Sequence, residues 1–409
     1  MKPKLRSLDI NPIERQGEEY WHFHDRIGIA ADAAVPREFG PLLGLFDGTR
    51  DAAAIVATYA QRGGEDLPQE FVENLIAQLD EGLLLDSPHF AARFQAITGE
   101  FAAEPTRPAA FAGLSYPAQP DALREMLGEF FEEAAAFQVP SADFDAARLR
   151  GVVVPHIDFM RGGAVEALAY HQLANQEFDV FVILGIAHCG VRYPFCGAAK
   201  SYDTPFGTAP VDEEFMAALQ DRVGERLTAE QFVHRSEHSI EFVAVFLQYL
   251  EHLKNARIVP ILCGGFHDEV RRGVSPLQNP DIASFCATLR EVVLEWRSKG
   301  QRVGLIASVD LSHVGARFGD ESQLTQARLS AIEKDDREFL ACAELGSAEA
   351  LHAHIARDEN ARNVDAHPAL FTLLAAFPEL RAQLLEYSQA YDEAANSVVS
   401  FASMTLYEN

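Results

Sequence analysis

The rhythm of apolar and polar positions changes once along the chain. In the first stretch, "EYWHFHDRIGIA" alternates and predicts a strand. "REFGPLLGLFDGTRDAAAIVATYAQRG" predicts two helices around a turn at Asp47-Gly48. "PQEFVENLIAQLDEGLLLDS" predicts a third helix, with Phe71, Leu75 and Leu79 at helical spacing and Gly82-Leu83-Leu84-Leu85 as a stop followed by a short strand. Three helices and small strands in this order suggest a winged helix over residues 1–95. Residues 96–113, rich in Ala, Pro and Gly, read as a linker. From 114 to 409 continuous apolar runs alternate with amphipathic stretches: "RGVVVPHI", "DVFVILGIAH", "ARIVPILCGG" and "QRVGLIASVDLSH" are separated by "GAVEALAYHQLAN", "HSIEFVAVFLQYLEHL" and "IASFCATLREVVLEWRSKG". That predicts an α/β domain with a mostly parallel sheet flanked by helices on both faces. In such sheets ligands sit at the carboxyl ends of the strands.

Composition narrows the function classes. A chain of 409 residues has room for about two domains. Its formal charge of −27, from 34 basic against 61 acidic residues, repels phosphate backbones and anionic lipid, so neither nucleic acid nor a membrane is an expected partner. No apolar run reaches membrane-spanning length, and the basic N-terminus has no apolar segment behind it, which points to the cytoplasm. The five cysteines form no Cys-x-x-Cys pair, which argues against a disulfide framework or a structural zinc site. Cys189 stands apart because it directly follows His188.

The strand ends carry the candidate chemistry. One delivers His156 and Asp158, a second His188, a third Cys263 and then His267, a fourth Asp310 and His313. Several imidazoles converging with a carboxylate form the expected layout for zinc or non-haem iron. In "SEHSIEFVAVFLQYL", Ser236 is a plausible N-cap and Glu237 suits a helix N-terminus. His238 and Glu241, three apart, share a helical face and could form an imidazole oriented by a carboxylate or an ordinary surface pair. His22 and His24 share one face of their strand, as solvent-facing residues or as a metal pair.

The ordered set "AGLSYPAQPDALREML", "VVVPHIDFMRGGAVEALAY", "VILGIAHCG", "YDTPFGTAPVD", "EHSIEFVAVFLQYL", "IVPILCGG", "ASVDLSH", "HPALFTLLAA" and "SVVSFASM" resembles the Memo family, also called protein B of the AmmeMemoRadiSam system. That family is similar in fold to the class III, LigB-type extradiol dioxygenases, which hold Fe(II) on two histidines and a carboxylate. The resemblance implies His156 and His188 as metal ligands and His313, beside Asp310, as an acid/base group or further ligand. His238 and Glu241 would line the pocket. Two positions depart from the family: Asp158 stands where glycine is usual, and "ARNVDAHPAL" lacks the family's ligating cysteine. Strict counting back from Pro368 puts Val364 at that place, and a one-residue gap puts Asp365 there. Asp365 would complete a set of two histidines and one carboxylate.

The resemblance implies a mononuclear non-haem site, with Fe(II) first and copper or zinc as alternatives, and redox or dioxygenase-like chemistry. It also implies a modification pathway shared with radical-SAM and AMMECR-type proteins. The first 95 residues resemble PqqD-like winged helices, notably in "LFDGTRDAAAIVATY" and "LIAQLDEGLLL", which implies a peptide held on that module. A non-catalytic peptide- or partner-binding protein is therefore the alternative reading. A zinc hydrolase using Asp158 as base ranks third.

Overall fold

The computed structural model describes residues 1–139, 146–320 and 322–409. The chain divides into two compact units, Met1–Glu104 and Pro105–Asn409. Among the described residues no helix is long and apolar enough to cross a membrane.

The first unit opens with an antiparallel sheet of β1 (Asp9–Arg15), β2 (Glu18–His24) and β3 (Ala33–Pro36), in that order. The β1–β2 turn uses Gln16 and Gly17, both at positive φ (56° and 83°), the conformation that tight hairpins need. Three helices come next: α1 (Gly40–Leu43), α2 (Ala52–Gln61), capped by Asp51 through Ala54 N–H, and α3 (Gln69–Glu81). The buried stripe of α3 is Val72, Ile76 and Leu79, so the expected stripe is off by a residue at two of its three positions; Phe71 stays exposed. These side chains pack with Phe23, Leu42 and Ile55 in one small core. The strand expected after α3 is reduced to a single bridge between Leu5 and Leu85, and a further helix, α4 (Pro88–Ala103), starts at the Ser87 N-cap.

The boundary between the two units, at Glu104 and Pro105, falls within the stretch 96–113 read as a linker, and part of that stretch is regular structure. Residues 96–103 complete α4, burying Ile97 and Phe101, and Thr106–Arg107 forms β4 of the second unit. Alanine-rich composition served a helix here as readily as a loop.

The second unit continues through α5 (Pro120–Ala134), β5 (Leu149–Val154), α6 (Phe159–Gln172), β6 (Val180–Ile186), β7 (Phe195–Gly197), β8 (Ser201–Thr204), β9 (Gly207–Ala209), α7 (Glu213–Val223) and α8 (Ser239–Tyr249). Then come β10 (Arg257–Cys263), α9 (His267–Arg272), α10 (Pro280–Ser298), β11 (Val303–Ser308), β12 (His313–Gly315), α11 (Gln326–Glu344), α12 (Ala348–Ala356), α13 (Ala366–Ala376), β13 (Leu380–Asp392) and β14 (Ser397–Glu408). Strands β4, β8 and β9 form a small sheet of their own. The main sheet runs β12-β14-β5-β11-β6-β10-β7, with β13 paired along β14. Only β5, β11, β6 and β10 are mutually parallel. The sheet is mixed rather than mostly parallel, because β7 closes one edge antiparallel and the C-terminal β13–β14 hairpin builds the other.

Successive residues of β6 feed opposite cores. Val180, Val182 and Leu184 face one that includes Phe285 of α10 and Phe371 of α13; Phe181 and Ile183 face one that includes Phe159 of α6 and Phe246 of α8. Burial on both faces explains the unbroken apolar runs.

Candidate metal centre

Three neighbouring parallel strands each place a polar side chain two residues past their last one: β5 ends at Val154 and leads to His156, β11 at Ser308 to Asp310, β6 at Ile186 to His188. Parallel pairing puts these ends at one edge of the sheet.

His156 is buried. Its Nδ1–H donates to the Ser308 carbonyl at 2.9 Å, which leaves Nε2 as the outward nitrogen. Nε2 stands 3.1 Å from Asp365 Oδ2 and 3.8 Å from Asp310 Oδ2. The other Asp310 oxygen accepts the backbone N–H groups of His156 (3.1 Å) and Ile157 (3.2 Å), and so fixes the loop that carries the imidazole. His188 is held by Glu237, which accepts its backbone N–H at 3.0 Å and its Nδ1 at 3.0 Å. Its Nε2 is 3.7 Å from the same Asp365 Oδ2. Two imidazoles from separate strands thus aim their Nε2 atoms at one carboxylate oxygen.

His238 is the third imidazole, at the residue preceding α8. Its ring lies 4.7 Å from His188, nearly parallel, and 5.1 Å from His156, nearly perpendicular. Potential ligand atoms of His156, His188 and His238 all lie within 4.8 Å of one another, the one such group among the described residues.

The charges result from this packing. Burial pulls the His188 imidazole down, but Glu237 and Asp365 outweigh it and hold it well above its ordinary value. Burial likewise opposes protonation of His156, and Asp310 with Asp365 reverses the balance upward. At His238 burial, helped by the charges of His188 and His156, outweighs the pull of Glu237 and Asp365 and pushes the imidazole down to about 3. Asp365 is buried too, yet the facing imidazoles hold its carboxyl well below the usual range.

Of the two alternatives in "ARNVDAHPAL", Val364 packs into the apolar core and Asp365 faces the histidines. His313 lies outside the group of three; its Nδ1 faces the carbonyls of Leu311 (3.1 Å) and Asn363 (3.2 Å), and its charge acts on Asp310 and Asp365. Asp158 pairs with Arg161 at the start of α6. His22 and His24 share the exposed carboxylate of Asp32 at 3.1 and 2.8 Å. Cys263 is buried in the sheet, while Cys189 is partly exposed.

Glu241 does not line the site. Its carboxylate is fully buried and receives Arg107, the Tyr116 hydroxyl, and the N–H groups of Ala110 (3.1 Å) and Phe111 (2.9 Å). It pins the segment 107–116 against α8. The carboxylate that orients the imidazoles is Glu237, which sequence reasoning noted only for its place at a helix start. Its adjacency to His238 was the available signal; its reach to His188 depends on the fold.

A cleft of about 200 Å³ opens beside the imidazoles, lined by His188 and Asp365 and by residues of the Gly265–Val270 and Asn360–Pro368 segments.

A family model described as "Memo-like protein" matches residues 107–405. A "MEMO1 family protein" of Aquifex aeolicus is 28% identical over 100% of both chains. A second, from Desulfurococcus amylolyticus, is 27% identical over 72% of this chain and 97% of its own. A third, from Methanococcoides burtonii, is 32% identical over 49% of this chain and 66% of its own.

Proposed function

Because the chain belongs to the Memo-like family, we propose that its α/β unit holds one non-haem metal ion on His156, His188 and Asp365 and carries out redox, dioxygenase-like chemistry. Fe(II) is the first choice, with copper or zinc as alternatives. The observation that carries this reading is the convergence of two Nε2 atoms on Asp365 Oδ2, at 3.1 and 3.7 Å, with each Nδ1 engaged from behind. Such engagement of the rear nitrogen fixes the tautomer and aims the ligand nitrogen, the usual support of a metal-binding imidazole. The donor set fits the ion: two imidazoles and a carboxylate suit iron in particular.

A bound metal would supply Lewis acidity and a template for a substrate oxygen. The residues around it divide the remaining work. Asp310 holds the His156 loop. Glu237 holds His188. His313, its Nδ1 turned to backbone carbonyls, would move a proton through Nε2. The pathway reading, with radical-SAM and AMMECR-type partners, remains part of the proposal.

Metal content by mass spectrometry on protein purified without oxygen tests it. Near-stoichiometric iron that is lost in both His156→Ala and Asp365→Ala supports the site. A wild type that takes no metal under any loading condition ends the enzyme reading.

The peptide-binding alternative is favoured by one observation. Among the described residues β1 pairs with β2 alone and most of its residues are exposed, which offers its outer edge to an added strand. Pairing around the two-residue turn at Gln16-Gly17 directs the Glu14 N–H away from β2, so a Glu14→Pro variant of the full chain that loses a captured peptide while keeping its metal would support it.

A further inference from the structure

The first unit holds imidazoles of its own. His22 and His24 stand two apart on β2, the middle strand of its sheet, so both side chains leave the same face. Phe23, between them, enters the apolar core on the opposite face. Pairing with β3 sets Phe23 opposite Ala33, which brings Asp32, one residue earlier, beside His24. The Asp32 carboxylate divides between the two rings: Oδ2 is 3.1 Å from His22 Nε2, and Oδ1 is 2.8 Å from His24 Nδ1. A second carboxylate, Asp9, stands opposite His24 on β1, but Arg26 pairs with it. Asp32 is the carboxylate left to the imidazoles.

Two imidazoles and a carboxylate suit zinc, nickel or copper(II), whereas magnesium and calcium take oxygen donors. The nitrogens stand farther apart here than in the group at the sheet edge, and the ring centres are 6.4 Å apart. An ion about 2 Å from each nitrogen needs ring centres roughly 5–6 Å apart, depending on the bond angle. The side chains have that distance to give. His24 and Asp32 are 51% and 54% exposed, so they can swivel without disturbing the core. Pairing on both sides of β2 fixes the backbone, so side-chain torsions alone close the gap. The protons shared with Asp32 would pass to solvent or to the other ring nitrogen, as metal binding to imidazole requires.

We propose that His22, His24 and Asp32 bind one divalent ion of the zinc, nickel or copper class on the outer face of this sheet. Three protein donors leave at least one position open to water or to an outside donor. The proposal is independent of the centre at the sheet edge, whose ligands all lie in the second unit.

The test is equilibrium dialysis of the full chain, stripped with a chelator, against Zn²⁺ with and without Ca²⁺. The wild type is expected to bind one equivalent more than His22→Ala or His24→Ala, and Asp32→Ala should hold that equivalent at least about tenfold more weakly. All three positions are on the surface, so the variants should fold, and their unchanged circular dichroism checks this. His156→Ala should keep the equivalent, which separates this site from the one at the sheet edge. Zn²⁺ bound equally by the wild type, His22→Ala and His24→Ala overturns the proposal. So does an equivalent displaced by equimolar Ca²⁺, or one lost in His156→Ala. Binding that rises with Zn²⁺ without saturating shows an adventitious ion only, and overturns it too.

Discussion

Glu237 grips His188 at two points, accepting its backbone N–H at 3.0 Å and its Nδ1–H at 3.0 Å, although the two residues are 49 positions apart. The same carboxylate also accepts Ser239 N–H at 2.9 Å, so it joins the β6 strand end to the start of α8. Glu237→Gln keeps the shape but loses the charge and one acceptor. Metal affinity, read by competition with a chelator, is expected to fall about 10- to 100-fold, the usual cost of removing a group that orients a ligand. An unchanged affinity would mean that His188 needs no such support.

Asp365 and His238 compete for the third donor position. Asp365 Oδ2 is the atom on which both Nε2 nitrogens converge, whereas His238 stacks on His188 and lies with its Nδ1 3.3 Å from Glu237 Oε1. Asp365→Ala is therefore expected to lose the metal, and His238→Ala to keep it near stoichiometric. The reverse result, by mass spectrometry on both variants, would make the site a set of three histidines.

The Arg107–Glu241 pair should matter to folding and not to metal. Both side chains have no exposure, and Arg107 also donates to the carbonyls of His234 (2.9 Å) and Glu237 (2.8 Å). Glu241→Ala strands a buried guanidinium, at an expected cost of about 3–5 kcal/mol. Chemical denaturation should show that loss in the second unit, while iron binding at 4 °C stays near the wild-type level. A variant that is stable but empty of metal would return Glu241 to the site.

The sequence made the site legible where the fold repeats a local rule. A buried parallel strand is an unbroken apolar run, and the residues just beyond its carboxyl end lie at the binding edge, so His156, His188 and Asp310 could be read from "VVVPHI", "VILGIAH" and "ASVDLSH". Features that depend on distant partners were not legible. The pairing of Arg107 with Glu241 spans 134 positions, and neither residue signals the other. The C-terminal hairpin was missed as sheet because Ser400, Ser403 and Thr405 interrupt the apolar pattern of β14 while being buried themselves. Alanine-rich residues 96–103 looked like a linker because composition alone does not distinguish a helix from a loop.

Proton competition should govern the metal site near neutral pH. In the metal-free protein, neighbouring carboxylates overcome burial and raise both His156 and His188 above 6.5, so both imidazoles carry protons at that pH. A metal needs the bare nitrogens, so its binding must release those protons. Affinity is then expected to rise with pH, by up to about a hundredfold per unit while both groups are protonated, and to level off above their raised values. The same shifts act oppositely on the empty protein. A raised folded-state value gives stability that is full below the unfolded value near 6.5 and is lost as pH rises through the folded value. As pH rises through those raised values the chelated protein should therefore lose the contribution of these two imidazoles, while the loaded protein gains affinity, and the difference between their melting temperatures should widen. Calorimetry of both forms across that range checks the sign. A gap that stays constant or narrows would show that His156 and His188 are not the groups a metal displaces protons from.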